Sequence, residues 1–442
     1  MKETEKQIEK FEQFARATRQ PAWLSPLRQA GIARFAELGF PTVQQEDWRF
    51  TNVAPIARLP FKPVFAAAAE GVRPESLGRF TFGGLAATRL VFLDGHYAAG
   101  LSAIGPQPEG VAIGSLAEAL GSQAERIAPN LGQGASEEAN AFAALNTAFF
   151  QDGAFVLVSA GTFVAAPIHL LFLSTGREAG ATSHPRNLIL AEAGSRVTVL
   201  ETYASLGEAP GLTNAVTELA LGEGALAEHC KFQDESLNAF HIAALRFRLG
   251  RSSNLTAHSL ALGARLSRNN IRATLAGEGV ECVLNGLYLT RADQLADHHM
   301  LVEHAQPHCQ SHEYYNGILD GRSRGVFHGR ILVRPAAQKT DAKQTNKNLL
   351  LSEEATIDTK PQLEIYADDV KCTHGATVGQ LSDESIFYLR SRGLGLETAR
   401  RMLIHAFAGE IIERIRCAAA REELDRLIWD RLEANPLVAE RR

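Results

Sequence analysis

The sequence predicts a mainly β protein in which a solenoid of stacked strands is flanked by helical regions at both ends. Three features of the 442 residues lead to this fold class. Strand-like alternation runs from about residue 151 to residue 381, glycine turns recur inside it at nearly constant spacing, and helical periodicity occurs on both sides. The composition, 45% hydrophobic and 21% charged, is typical of a globular chain with a packed core.

The first 150 residues predict a region of mixed structure. Residues 3–17 space their apolar side chains three to four apart, which is the period of an amphipathic helix, and a second helix is predicted over Leu24–Leu38. A strand is predicted at Thr88–Leu93, and a helical pattern returns over Gly121–Phe150. We therefore treat residues 1–150 as an N-terminal helical and mixed region.

An uncharged stretch from Gly153 to Gly176 is as long as a membrane span. Gly161 and Pro167 interrupt it, however, and divide it into two short β-rich runs. We interpret these runs, Phe155–Ser159 and Ile168–Thr175, as buried strands, and we expect no membrane insertion.

A repeat of strand, glycine turn and strand predicts the solenoid. The turn glycines are Gly194, Gly222, Gly250 and Gly277, at intervals of 28, 28 and 27 residues. Units of this length stack because none can bury its apolar face alone. Since no helical pattern separates the repeat units, a β-helix or a stacked β-sandwich over residues 151–381 fits better than a repeat containing helices. The competing explanation is that the four glycines recur by chance in a sequence of alternating β strands.

Residues 382–442 predict a C-terminal helical region. One helix is predicted over Glu397–Ala419 and another over Glu422–Leu432. The apolar face of the first helix includes Met402, Leu403, Phe407 and Ile411. Such helices either cap the open end of a solenoid or offer an apolar face to a partner, and the pattern alone favours the cap.

Charge and missing motifs exclude several function classes. The formal net charge of -5 provides no basic field for nucleic acid, and we interpret the basic stretch Arg322–Lys347 as a solvated face or as a source of salt bridges to a partner subunit. The chain contains no P-loop, GxGxxG, GxSxG or HExxH motif, so we expect this chain alone to bind no nucleotide and to catalyse neither ATP hydrolysis nor dehydrogenase chemistry. Five cysteines, an odd number, and a start without an apolar signal core predict a reduced, cytoplasmic protein.

Histidine and cysteine are concentrated between residues 298 and 374. The adjacent His298 and His299 would point to opposite faces of a strand, and no CxxC pair is present, so the spacing does not predict a structural zinc site. Cys372 and His374 are two apart and would share one face of a strand, presenting a thiol and an imidazole together. A buried cysteine beside an incidental histidine is the other interpretation.

Three segments resemble a known family. The stretch Val326–Leu394 resembles the core signature of the SufB and SufD proteins of the SUF iron-sulfur cluster assembly system. QQEDWRFTNV at Gln44–Val53 resembles the N-terminal segment of that family, and ARRMLIHAF resembles its helical tail. Within the family, DDVKCTHGATVG at Asp368–Gly379 is similar to the SufD branch, because the SufB branch carries more cysteine there.

This resemblance implies a right-handed parallel β-helix that pairs with SufB. It also implies that the ATPase SufC docks on the C-terminal helices, on the face with Met402, Leu403, Phe407 and Ile411. His374 would supply an imidazole to iron or to a transient iron-sulfur cluster shared with SufB, with Cys372 as its nearest helper. Downstream apo-proteins would receive the cluster. The resemblance further implies reduced flavin in the complex, with no residue assigned to it here, and allows a homodimer in isolation.

The resulting prediction is a non-catalytic scaffold subunit. The main alternative is a carbohydrate-active β-helix enzyme, a lyase or hydrolase, which needs paired carboxylates on one face. Asp368 and Asp369 are adjacent and would point oppositely in a strand, so they do not fit that role. A self-associating structural protein is the third alternative.

Overall fold

The computed structural model describes residues 2–18, 20–66, 69–82, 87–133 and 139–434. A mixed N-terminal region comes first. Its helices and strands are α1 (Lys2–Ala17), α2 (Ser25–Leu38), α3 (Ala54–Ala57), β1 (Lys62–Pro63), β2 (Thr88–Leu93), β3 (His96–Tyr97), β4 (Val111–Ser115), α4 (Leu116–Ser122), α5 (Ala124–Ile127) and α6 (Ala141–Phe149).

A long run of strands follows, and then three helices. The strands are β5 (Ala154–Val158), β6 (Ile168–Ser174), β7 (Ala181–Ser183), β8 (Arg186–Ala191), β9 (Arg196–Ser205), β10 (Leu212–Leu221), β11 (Leu226–Asp234), β12 (Phe240–Leu249), β13 (Asn254–Ala261), β14 (Leu266–Leu275), β15 (Glu281–Thr290), β16 (Leu295–His304), β17 (Gln310–Leu319), β18 (Arg324–Val333), β19 (Asp341–Leu350), β20 (Thr356–Ile365) and β21 (Lys371–Gly379). The helices are α7 (Asp383–Ser391), α8 (Leu396–Ile412) and α9 (Ala418–Ala434).

These strands form a parallel β-solenoid of about 8 turns. The even-numbered strands β8 to β20 lie side by side in one sheet, sheet A, and the odd-numbered strands β9 to β21 lie side by side in the other, sheet B. Each turn therefore contributes one strand to each sheet, and apolar side chains from both sheets fill the space between them. The predicted solenoid, with helical regions before and after it in the chain, is confirmed.

The pairing of the strands shows that the four glycines of the predicted repeat do not occupy equivalent positions in their turns. Gly194 is equivalent to Gly224 and not to Gly222, because Ala191 pairs with Leu221 and Arg196 with Leu226. In six successive turns, the residue at the corner between the sheet A strand and the following sheet B strand has a positive φ angle. The residues at this corner are Gly194 (φ 65°), Gly224 (φ 66°), Ser252 (φ 53°), Gly279 (φ 69°), His308 (φ 60°) and Lys339 (φ 62°).

The other glycines of the predicted repeat serve close packing between turns. Gly222, Gly250 and Gly277 each precede the corner by two residues, and a Cβ at Gly277 would lie 2.1 Å from the backbone nitrogen of Arg251. The recurrence of glycine in the sequence therefore reflects the turns of the solenoid, but it combines two kinds of position. Gly194 lies at a corner that needs a positive φ angle, whereas Gly222, Gly250 and Gly277 lie where neighbouring turns pack too closely for a side chain.

Most predicted elements occur where expected. The apolar stretch folds into the buried strands β5 and β6, and no helix within the described part of the chain is long and apolar enough to cross a membrane. The stretch Gly121–Phe150, predicted to be helical, contains the end of α4 and the whole of α5 and α6. Residues 134–138 of this stretch lie outside the described residues. The single helix predicted over Glu397–Ala419 is wrong, because α8 ends at Ile412 and α9 begins at Ala418.

The C-terminal helices pack along the side of the solenoid. Ile404 of α8 and Leu424 of α9 are buried in one cluster with Leu287 and Ile318 of sheet B. The interpretation of these helices as an end cap is therefore wrong. Among the described residues no further strand pairs with the outer edges of β20 and β21, so the last turn ends the solenoid as an open end.

Candidate functional site

Cys372 and His374 lie on β21, the last strand of sheet B. Cys372 pairs in register with Ala342 of β19, and His374 pairs with Gln344. His374 is exposed, and Cys372 is half-buried against a small cluster that includes Ala342 and Val333. The structure thus brings the two residues to the open end of the solenoid, two positions apart on one strand.

Both side chains belong to columns that face the interior of the solenoid. In stacked parallel strands, residues paired in register point to the same side of the sheet. The column that ends at His374 continues downward through Gln344 and Glu313, which are both buried, and Gln344 Nε2 donates a hydrogen bond to Glu313 Oε2 at 2.7 Å. His374 is exposed because β21 is the last strand of its sheet.

Burial keeps the Cys372 thiol protonated near neutral pH. Loss of solvation raises the pKa of Cys372 above its ordinary value, and the nearby Asp341 carboxylate adds to the effect. The thiolate is the form that binds metals, so a bound cation would have to displace the proton. On its own, this end of the solenoid offers one imidazole and one protonated thiol, which is fewer than the four ligands of a closed site.

The interior beneath this end is polar. Burial raises the pKa of Glu313 to about 8, so this carboxyl group is largely protonated at neutral pH. Tyr288 donates a hydrogen bond to Asn348, and Asn346 Nδ2 donates to the backbone oxygen of Tyr315 at 3.1 Å. The spacing of Cys372 and His374 revealed a shared face, but not that this polar column lies below them.

The predicted docking residues on α8 divide into two sets. Met402 is 40% exposed and Leu403 is half-buried, whereas Phe407 packs against the cluster on sheet B and Ile411 is only 2% exposed. Ile411 therefore lies on the face that holds α8 to the solenoid. The available surface on α8 is the part around Met402.

Two exposed aromatic residues lie on α7, the helix that precedes α8. Phe387 and Tyr388 on α7 are 73% and 57% exposed, and α7 packs beside α8. Neither residue is among the predicted docking residues, although two adjacent aromatic residues in a short polar helix are a signal visible in the sequence. Phe387, Tyr388 and Met402 are thus exposed apolar side chains on two helices that pack together, and we call these three residues the α7–α8 surface.

The basic stretch Arg322–Lys347 is ion-paired within the chain. Each of its cations lies beside a carboxylate, in the pairs Arg322–Asp293, Arg324–Asp358, Arg330–Glu364, Arg334–Glu303, Lys339–Asp369, Lys343–Asp341 and Lys347–Glu410. The acidic partners come from the chain itself, so these cations are neither simply solvated nor left to pair with a partner subunit.

The N-terminal segment around Trp48 is anchored on the outer face of sheet A. Trp48 is buried under the guanidinium group of Arg268, which lies 3.7 Å from the ring centroid. Thr51 Oγ1 donates a hydrogen bond to Asp297 Oδ2 at 2.5 Å, and Arg268 pairs with the same oxygen at 2.6 Å. The neighbouring Asp47 is thereby held against the sheet.

A group of three potential metal ligands lies beside this anchor. Asp47, His299 and His328 each offer one ligand atom, and these atoms all lie within 4.8 Å of one another. Both histidines lie in the histidine-rich stretch of the sequence, but nothing in their spacing predicts this group, because they are on different turns and the third residue is far away in the chain.

Comparison with known proteins agrees with the resemblance. The family profile described as "SUF system FeS cluster assembly, SufBD core domain" matches residues 172–407, and that of the "SufBD protein N-terminal region" matches residues 1–170. The iron-sulfur cluster assembly protein SufD of Escherichia coli is 33% identical over 411 residues, covering 92% of this chain and 93% of that protein.

Two further relatives come from Synechocystis and Arabidopsis thaliana. The iron-sulfur cluster assembly SufBD family protein slr0076 of Synechocystis is 35% identical over 90% of this chain and 88% of its own length. The chloroplastic protein ABCI7 of Arabidopsis thaliana is 30% identical over 88% of this chain and 82% of its own length. All three alignments span both the N-terminal region and the solenoid.

Proposed function

Because this chain belongs to the SufBD family of iron-sulfur cluster assembly proteins and is a homologue of SufD, we propose that it is the non-catalytic SufD-type scaffold subunit of a SufBCD complex. In this proposal its solenoid pairs with SufB, and its C-terminal helices dock the ATPase SufC. The complex assembles a cluster and passes it to apo-proteins. We place this activity in the cytoplasm, where the five free cysteines would stay reduced.

The open end of the solenoid carries the proposal. β20 and β21 are edge strands, and exposed edges are usually protected or paired with another chain. Large apolar side chains also lie exposed on the last turn, with Tyr366 and Val378 as examples. A partner solenoid that extends both sheets would cover these groups. In isolation, a second copy of this chain would meet the same edges.

The ligands at this end suit a cluster that is bound and then released. Cys372 and His374 provide two donors at most, so the remaining ligands would come from SufB. A site shared between subunits opens when their interface moves, whereas a closed site of four ligands from one chain holds its metal too tightly for a donor. Movement of SufC during ATP hydrolysis would supply that motion.

We expect His374→Ala to lower cluster content without preventing assembly of the complex. The chain is co-expressed with SufB and SufC, purified through a tag, and analysed for subunit stoichiometry, iron and acid-labile sulfide. Loss of the imidazole should cause a several-fold decrease in iron and sulfide per complex. Because His374 is exposed, the thermal unfolding temperature should not change.

Thr373→Ala is the matched control for this experiment. Thr373 is an exposed neighbour on the same edge strand, but it points to the opposite side of sheet B. Normal cluster content in His374→Ala, or an equal loss in both variants, would contradict the proposed ligand role. Failure of the wild-type chain to retain SufB would contradict the proposed complex.

The α7–α8 surface leads to a second prediction. Met402→Asp places a charge at the exposed apolar position and should cause loss of most of the SufC retained in the co-purification, while SufB remains bound. Met402→Leu keeps the apolar surface and should retain SufC. Equal SufC retention in all three proteins would remove this surface from the proposal.

A further inference from the structure

We infer that Asp47, His299 and His328 form a binding site for one divalent transition-metal ion on the outer face of sheet A. The site is separate from the open end that carries Cys372 and His374, and it does not rest on the proposed function. Two imidazoles and one carboxylate form a ligand set that suits zinc or ferrous iron, with the remaining positions open to water.

The solenoid brings the two histidines together by register. His299 of β16 pairs directly with His328 of β18, and their ring centroids lie 4.2 Å apart at an interplanar angle of 81°. Gln362 Oε1 lies 2.6 Å from His328 Nε2 and fixes the orientation of that ring. Such hydrogen bonds commonly orient the histidines of metal sites.

The N-terminal segment supplies the carboxylate. Asp47 Oδ1 lies 3.6 Å from His299 Nε2. Two donors bound to one ion at about 2.1 Å in tetrahedral geometry lie roughly 3.4 Å apart, so this pair is already close to the required spacing. The largest separation within the triad is under 4.8 Å, and the Asp47 side chain, at 53% exposed, is the member of the triad least confined by packing.

The surrounding charges also permit a cation. Arg268, Arg330 and Lys360 face His299. All three are paired with carboxylates: Arg268 with Asp297 at 2.6 Å, Arg330 with Glu364 at 3.6 Å, and Lys360 with Glu46. Their charges are thus balanced, which leaves the Asp47 carboxylate to offset the charge of the ion.

A bound ion would connect two distant parts of the chain. His299 and His328 belong to turns of the solenoid, whereas Asp47 belongs to the segment that lies across sheet A. Since an ion that binds only the folded state stabilises it, metal should raise the unfolding temperature of the full chain.

The test measures metal binding by the isolated full-length chain. After treatment with a chelator, the protein is titrated with Zn²⁺ in a calorimeter and with Co²⁺ in an absorption experiment. Asp47→Asn, His299→Gln and His328→Gln should each weaken binding by roughly tenfold or more. His374→Ala is the control and should retain this site. Zn²⁺ should raise the unfolding temperature of wild type and of His374→Ala, but not that of Asp47→Asn.

Asp47→Asn keeps the inference testable if a histidine variant fails to fold, because it changes an exposed side chain to an amide of the same size. Absence of Zn²⁺ and Co²⁺ binding to the wild-type chain would overturn the inference. So would binding that is unchanged in Asp47→Asn, or binding that disappears in His374→Ala.

Discussion

Replacing Arg268 by Ala should lower the free energy of unfolding by about 3–5 kcal/mol, because it leaves a buried carboxylate without its counter-ion. Arg268 Nη1 lies 2.6 Å from Asp297 Oδ2, and both side chains are almost fully buried. The guanidinium group also covers the ring of Trp48 and donates a hydrogen bond to the backbone oxygen of Asp47 at 2.8 Å. The substitution therefore removes the anchor of the N-terminal segment as well.

The measurement is urea unfolding at neutral pH, with Arg324→Ala as the matched control. Arg324 also pairs with an aspartate, Asp358, and lies over an aromatic ring, but its side chain is 40% exposed. An exposed pair of this kind contributes less than about 1 kcal/mol. Similar losses in the two variants would show that burial of the Arg268 pair is not what makes it important.

The double variant Arg268→Ala with Asp297→Asn separates charge from packing. Burial raises the pKa of Asp297 even with Arg268 present. Removing the negative charge should therefore recover part of the lost stability, whereas a loss caused by packing alone would not be recovered.

Glu313→Gln should make the protein more stable at pH 8 and leave its stability unchanged near pH 4.5. Burial raises the pKa of Glu313 from 4.5 to about 8. Between these values the folded state keeps a proton that the unfolded state releases, so wild-type stability decreases as the pH rises. The slope is at most about 1.4 kcal/mol per pH unit, and we expect a gain of a few kcal/mol for the variant at pH 8.

The experiment compares unfolding free energies of the two proteins at several pH values from 4.5 to 8. Buried histidines act in the opposite direction: burial lowers the pKa of His298 to about 3 and that of His304 to about 4, so their effect is a gain of stability as the pH rises towards 6.5. They are present in both proteins and cancel in the difference. Glu278→Gln, in an exposed turn, should show no pH-dependent difference. A constant offset for Glu313→Gln would contradict the prediction.

The sequence was informative wherever a feature depends on neighbouring residues. Strand alternation located β5 and β6 to within a residue, and the period of apolar side chains located α1 and α2. The spacing of Cys372 and His374 correctly implied one side of one strand. By contrast, α8 was predicted to continue past Ile412, because the apolar period does not reveal the turn between α8 and α9.

What the sequence determined by itself is the solenoid, its flanking helices and the family. Each follows from local alternation, from glycine spacing, or from long matching segments such as Val326–Leu394. The tertiary structure alone decided which residues stack, that α8 and α9 cover the side and not the end of the solenoid, and that Asp47 meets His299 and His328. The physical reason is that these contacts join residues that are whole turns apart or far apart in the chain, and they are set by register and packing.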